Sequence, residues 1–111
     1  AERLRTPTVP GTTATMEYME GRPGFVADAA SRAWIERAVA IYAEVGSSLR
    51  IIPSAGGSTD AGYAQMAGKP VVEGLGLPGF GFHSSNEEYV DVDRIPARIY
   101  LAVQMIMEAS R

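Results

Sequence analysis

His83, the one histidine of the chain, closes a run in which glycine recurs at positions 74, 76, 79 and 81. A neutral imidazole nitrogen is a good zinc ligand, and loops at strand ends in α/β folds carry much of their chemistry. Ser84, Ser85 and Asn86 follow it, all short and polar. One imidazole does not make a zinc site, and the available carboxylates, Asp60, Glu73, Glu87 and Glu88, show no ligand spacing to it. On its residues alone His83 reads first as a structural hydrogen-bonding histidine and second as a ligand.

Two further places could bind an anion. Gly56-Gly57-Ser58-Thr59-Asp60 is a tight loop before a helix. Its backbone N–H groups could face a carboxylate or an oxyanion; the plainer reading is a capping box in which Thr59 or Asp60 caps the helix. Arg22, between Gly21 and Pro23, could hold a substrate carboxylate in its guanidinium fork; the plainer reading is a solvated surface arginine. Glu87-Glu88 reads as a solvated pair. Gly74-Leu75-Gly76-Leu77-Pro78-Gly79 matches the dinucleotide pattern G-x-G-x-x-G. That fingerprint needs a helix to begin inside the motif, and Pro78, Gly79 and Gly81 prevent one, so a dinucleotide site is set aside. No Ser/His/Asp arrangement converges by any local rule.

The elements that must position these residues follow from periodicity. Thr12 to Met19 reads as a strand, rich in β-branched and aromatic residues, and Gly21-Arg22-Pro23-Gly24 breaks it. Trp34, Ile35, Ala38, Val39, Ile41, Tyr42 and Val45 fall at helical spacing, with Ser31 as the expected N-cap and Gly46 as the stop. Leu49–Ile52 and Pro70–Glu73 read as short strands. Between them a short helix is expected from about Ala61 to Met66, ended by Gly68. The last helix is expected near Asp93, with Pro96 in its first turn and Ile95, Ile99, Val103 and Ile106 as one apolar stripe, widened by Leu101, Ala102 and Met105. The alternation predicts an α/β fold with a parallel sheet. Three short strands make a thin sheet, so further sheet is expected from chain beyond these residues.

With 111 residues, this is one domain or part of one. A net charge of −3, dispersed arginines and a single lysine give no nucleic-acid-binding surface. Cysteine is absent, which excludes disulfides and thiolate chemistry. No apolar run approaches the roughly 20 residues of a membrane span, and no apolar segment follows the charged start Ala1–Arg5, so neither membrane association nor a signal peptide is expected.

Taken together, Gly21-Arg22-Pro23-Gly24-Phe25, Gly56-Gly57-Ser58-Thr59-Asp60-Ala61, Gly68-Lys69-Pro70-Val71, the run from Gly74 to Ser84, and Glu88-Tyr89-Val90 resemble, in order and spacing, the C-terminal part of the aminoacylase/glutamate-carboxypeptidase metallopeptidases. The pattern is similar to that of the bacterial glutamate carboxypeptidases and runs from about Pro10 to the end. The resemblance implies part of a three-layer α/β/α zinc-exopeptidase catalytic domain over residues 22–111. It also implies that residues 1–21 end an inserted lid or dimerisation domain, with Thr12–Met19 as its last strand.

For the residues, it implies that His83 completes one of two zinc sites. Arg22 would hold the free carboxylate of the substrate, and Gly57, Ser58 and Thr59 would line the substrate pocket. The family more often has a third glycine where this chain has Ser58. The remaining zinc ligands and the catalytic glutamate lie in the family's N-terminal half, whose motifs do not occur here. The expectation is therefore a C-terminal fragment of a di-zinc hydrolase. It would act on a small peptide or N-acyl amino acid, releasing a C-terminal glutamate-like residue or an acyl group. The isolated chain is expected to be inactive and without Zn2+, and the intact enzyme to be a homo-oligomer. The competing class is a self-associating binding or assembly module without catalysis.

Overall fold

A computed structural model describes residues 8–53, 57 and 59–111. Helix α1 (Ala29–Glu44) starts where Asp28 leaves the helical conformation and its Oδ1 accepts the Ser31 N–H at 2.7 Å. That hydrogen bond from the Ser31 backbone holds the Asp28 carboxyl below the usual carboxylate range. The cap is thus Asp28 rather than Ser31, because Ser31 is wholly buried and its hydroxyl accepts the Val71 N–H at 3.0 Å. Gly46 stops the helix at φ +69°, as its position predicts.

Helix α2 (Ala61–Met66) has the expected bounds, and Gly68 follows at φ +70°. Strands β1 (Gly79–Phe80) and β2 (Tyr89–Val90) form an antiparallel hairpin with Gly79 opposite Val90 and Phe80 opposite Tyr89. The Asp91 N–H donates to the Pro78 carbonyl at 2.8 Å and extends the pairing by one step. A 3-10 turn at Val92–Arg94, capped by Asp91, leads into helix α3 (Ile95–Ala109), with Pro96 in the first turn.

The core lies between α1 and α3. Ala38, Ile41 and Tyr42 meet Leu101 and Met105, and Trp34, Leu49, Val72, Leu75, Ala97 and Tyr100 pack around them. Polar contacts tie the same two helices together. Arg37 Nε lies 2.7 Å from Glu108 Oε2, its Nη2 also donates to Oε1, and the Tyr100 hydroxyl donates to Glu44 Oε2 at 2.6 Å. The hydrogen bond from Arg37 lowers the Glu108 carboxyl, and the one to Glu44 raises the Tyr100 phenol.

Two expectations fail here. Ile95, Ile99, Val103 and Ile106 do not face the core; they are exposed, Ile106 at 69%. Helix α3 is apolar on nearly all sides, and α1 covers only the side carrying Leu101 and Met105. Second, Thr12–Met19, Leu49–Ile52 and Pro70–Glu73 are not paired into strands. A strand exists only through a neighbour that takes up its backbone groups. Among the described residues the one pairing is the antiparallel hairpin, and no parallel pair occurs. The molecule is accordingly drawn out. Its radius of gyration is 19.6 Å, against about 13 Å for a compact domain of this length.

Candidate functional site

The segment 22–26 and helix α2 are held together by two contacts that the sequence reading did not foresee. A Cβ on Gly62 would sit 2.1 Å from the Pro23 carbonyl oxygen, so only glycine lets α2 lie against Pro23. The Gln65 amide then matches the backbone of Val26, donating to its carbonyl at 2.6 Å and accepting its N–H at 3.4 Å. The signal for Gly62 was a glycine inside a predicted helix, where it is otherwise unfavourable. No sequence rule pointed to Gln65.

This junction brings Arg22 to the loop before α2. Arg22 Nε stands 3.5 Å from Asp60 Oδ1, with both side chains largely exposed. Asp60 occupies the N-cap position but makes no capping bond with its side chain. Thr59 Oγ1 takes the Ala61 N–H instead, at 3.2 Å. Of the two capping candidates, Thr59 caps, and the Asp60 carboxylate is left to meet Arg22. Gly57 is exposed, with open space where a Cβ would be. Ser58 lies outside the described residues.

His83 sits elsewhere, in the loop between β1 and β2. It is exposed and takes φ +69°, the one left-handed backbone among the described non-glycine residues. Such a conformation is costly for a residue with a Cβ and clusters at functional loops. The fold around it explains why it persists. A Cβ on Gly81 would meet the Glu87 carbonyl oxygen at 2.4 Å, so the two ends of the loop close against each other at a glycine. The Ser84 N–H donates to the Gly81 carbonyl at 2.8 Å, and the Ser84 hydroxyl accepts the N–H groups of Glu87 at 3.2 Å and Asn86 at 3.4 Å. Gly79 performs the same service on the strand: a Cβ there would stand 2.3 Å from the Tyr89 carbonyl oxygen. The G-x-G-x-x-G run therefore ends in β1, and the helix a dinucleotide fingerprint requires does not begin there.

Chemically, Arg22 offers a guanidinium and His83 an imidazole, each open to solvent. Zinc needs three or four protein ligands. Among the described residues no group of three or more histidine, aspartate or glutamate side chains is placed to share a metal ion. These residues by themselves do not make a zinc site; His83 can contribute one donor to a site completed from elsewhere.

The model of peptidase family M20/M25/M40 matches residues 4–108. Carboxypeptidase G2 from Pseudomonas sp. (strain RS-16) is 44% identical over 107 residues, which are 96% of this chain and 26% of that protein. The chain thus spans about a quarter of the length of this curated relative. Both findings cover the Arg22 junction and the His83 loop together, and they place the chain in peptidase family M20/M25/M40.

Proposed function

We propose that this chain forms the part of a zinc-dependent carboxypeptidase that grips the substrate's free carboxylate and supplies one metal ligand. The observation that carries the reading is the meeting of Arg22 with the loop before α2, across 38 residues of sequence (60 − 22), at an exposed ion pair. An exposed pair of this kind contributes little stability. An incoming carboxylate can displace Asp60 and take both prongs of the guanidinium. Gly57, Ser58 and Thr59 would line the pocket beside it, and Ser58 would narrow it by one Cβ.

His83 would be one zinc ligand, the others coming from outside these residues, in a centre of two zinc ions. The substrate class is a small peptide or N-acyl amino acid with a C-terminal glutamate-like residue. Residues 22–111 would belong to a three-layer α/β/α catalytic domain, and residues 1–21 to the end of a lid or dimerisation domain. Support comes from membership of the peptidase family and from the 44% identity to a carboxypeptidase. A second reading, self-association without catalysis, draws on the exposed apolar side of α3; sedimentation of the purified chain tests it.

The chain alone, given zinc and an N-acyl-glutamate, is expected to show no hydrolysis above background. Placed in carboxypeptidase G2 in exchange for the matched stretch, it is expected to hydrolyse that substrate. There, Arg22→Met should raise KM at least tenfold and His83→Ala should abolish turnover. Turnover by the chain alone that His83→Ala removes, or a swapped enzyme indifferent to both substitutions, would overturn the proposal.

A further inference from the structure

The segment 22–27 runs beside α2 with no helix or strand of its own. Chain of this kind is fixed only by the partners its backbone groups find. Its contacts with α2 fall in step along the helix: Arg22 with Asp60, Pro23 against Gly62, and Val26 with Gln65. Gly62 and Gln65 are three residues apart and so share one face of α2.

The three contacts differ in kind. The Arg22–Asp60 pair is exposed, at 3.5 Å, and holds little by itself. Gly62 admits the Pro23 backbone but makes no directional bond to it. Gln65 is bonded in both directions: Nε2 donates to the Val26 carbonyl at 2.6 Å, and Oε1 accepts the Val26 N–H at 3.4 Å. Among the described residues neither of these Val26 backbone groups has another hydrogen-bond partner. Beyond Val26 the chain passes into the core helix α1, where Arg32 Nε donates to the Ala27 carbonyl at 3.1 Å and Asp28 caps the helix. Two points of attachment to α2 fix the direction of the segment. Without Gln65 one remains, a pivot at Pro23, next to Arg22.

We infer that Gln65 is a positioning residue for Arg22. By tying Val26 to α2 it sets the direction from which the guanidinium faces the loop before that helix, and with it the grip on the substrate carboxylate. The inference rests on the reading of Arg22 as that grip. Gln65 acts through Arg22, its own amide being taken up by Val26. A two-pronged guanidinium–carboxylate contact demands alignment of two planar groups, so a small turn of the segment weakens it.

The test uses carboxypeptidase G2 carrying this chain in place of its matched stretch, with an N-acyl-glutamate as substrate. Gln65→Met keeps an unbranched side chain and removes both hydrogen bonds. KM is expected to rise about fivefold, the scale of one or two exposed hydrogen bonds. The kcat should stay within about twofold, because a hold on the carboxylate acts alike on bound substrate and transition state. On an Arg22→Met background, Gln65→Met should add nothing to KM, since the group it positions is gone. The melting temperature should move by less than about 3 °C. Amide exchange at Val26 should quicken while α1 and α3 stay protected.

An unchanged KM in Gln65→Met, where Arg22→Met raises it, overturns the inference and leaves the functional reading standing. A further rise of the same size on the Arg22→Met background also overturns it, because Gln65 would then act independently of Arg22. So does a Gln65→Met protein that fails to fold or loses kcat and KM together, which would make the residue structural. An unchanged KM in Arg22→Met defeats the functional reading itself, and this inference with it.

Discussion

The α1–α3 pair and the two loops that carry Arg22 and His83 are built by different means. The helix pair has a buried cluster with Ile41 and Leu101 at its centre. It is capped by Asp28 and bridged by Arg37–Glu108 and Tyr100–Glu44. The loops bury almost nothing: Arg22, Gly57, Thr59 and His83 are all exposed. They are shaped by glycines that admit close backbone approach, Gly62 against Pro23 and Gly81 against Glu87, and by single side chains bonding backbone, Gln65 and Ser84. Apolar burial gives the helix pair stability that tolerates surface change. The loops depend on a few contacts that no neighbouring group can replace, so small changes there should alter geometry at little cost in overall stability.

Leu101→Ala tests the first half of this contrast and should have the largest effect. Removing a wholly buried leucine costs roughly 2–5 kcal/mol, and denaturant unfolding should show the cooperative transition lost or moved far to lower concentration. Gly62→Val tests the second half. Its side chain cannot coexist with the Pro23 carbonyl, and an overpacked contact costs roughly 1–3 kcal/mol. Here the loss should be local: amide exchange at Val26 should quicken, while α1 and α3 amides stay protected. A uniform loss of protection would show that the junction and the helix pair are one cooperative unit. His83→Gly should have the smallest effect. Relief of the left-handed backbone, about 1–2 kcal/mol, is partly offset by the greater freedom of unfolded glycine, about 0.5–1 kcal/mol. The expected result is a melting temperature unchanged or slightly raised, and a clear loss of stability would show that the ring makes contacts of its own.

Local rules read from the sequence were sufficient wherever the deciding interactions are themselves local. The bounds of α2, the stops at Gly46 and Gly68, Pro96 in the first turn of the last helix and the failure of the G-x-G-x-x-G run to open a helix all depend on backbone preferences within a few residues. The family, too, was legible, because motif order and spacing survive in sequence. Tertiary structure decided what depends on a distant partner. It set which side of α3 is inside, since Leu101 and the Ile99 face are equally apolar and only the position of α1 separates them. It turned Ser31 from a cap into an acceptor for Val71, and left the expected strands unpaired for want of neighbours. It also joined Arg22 to the loop before α2 through Gly62 and Gln65, contacts spanning some 39 residues that no local period encodes.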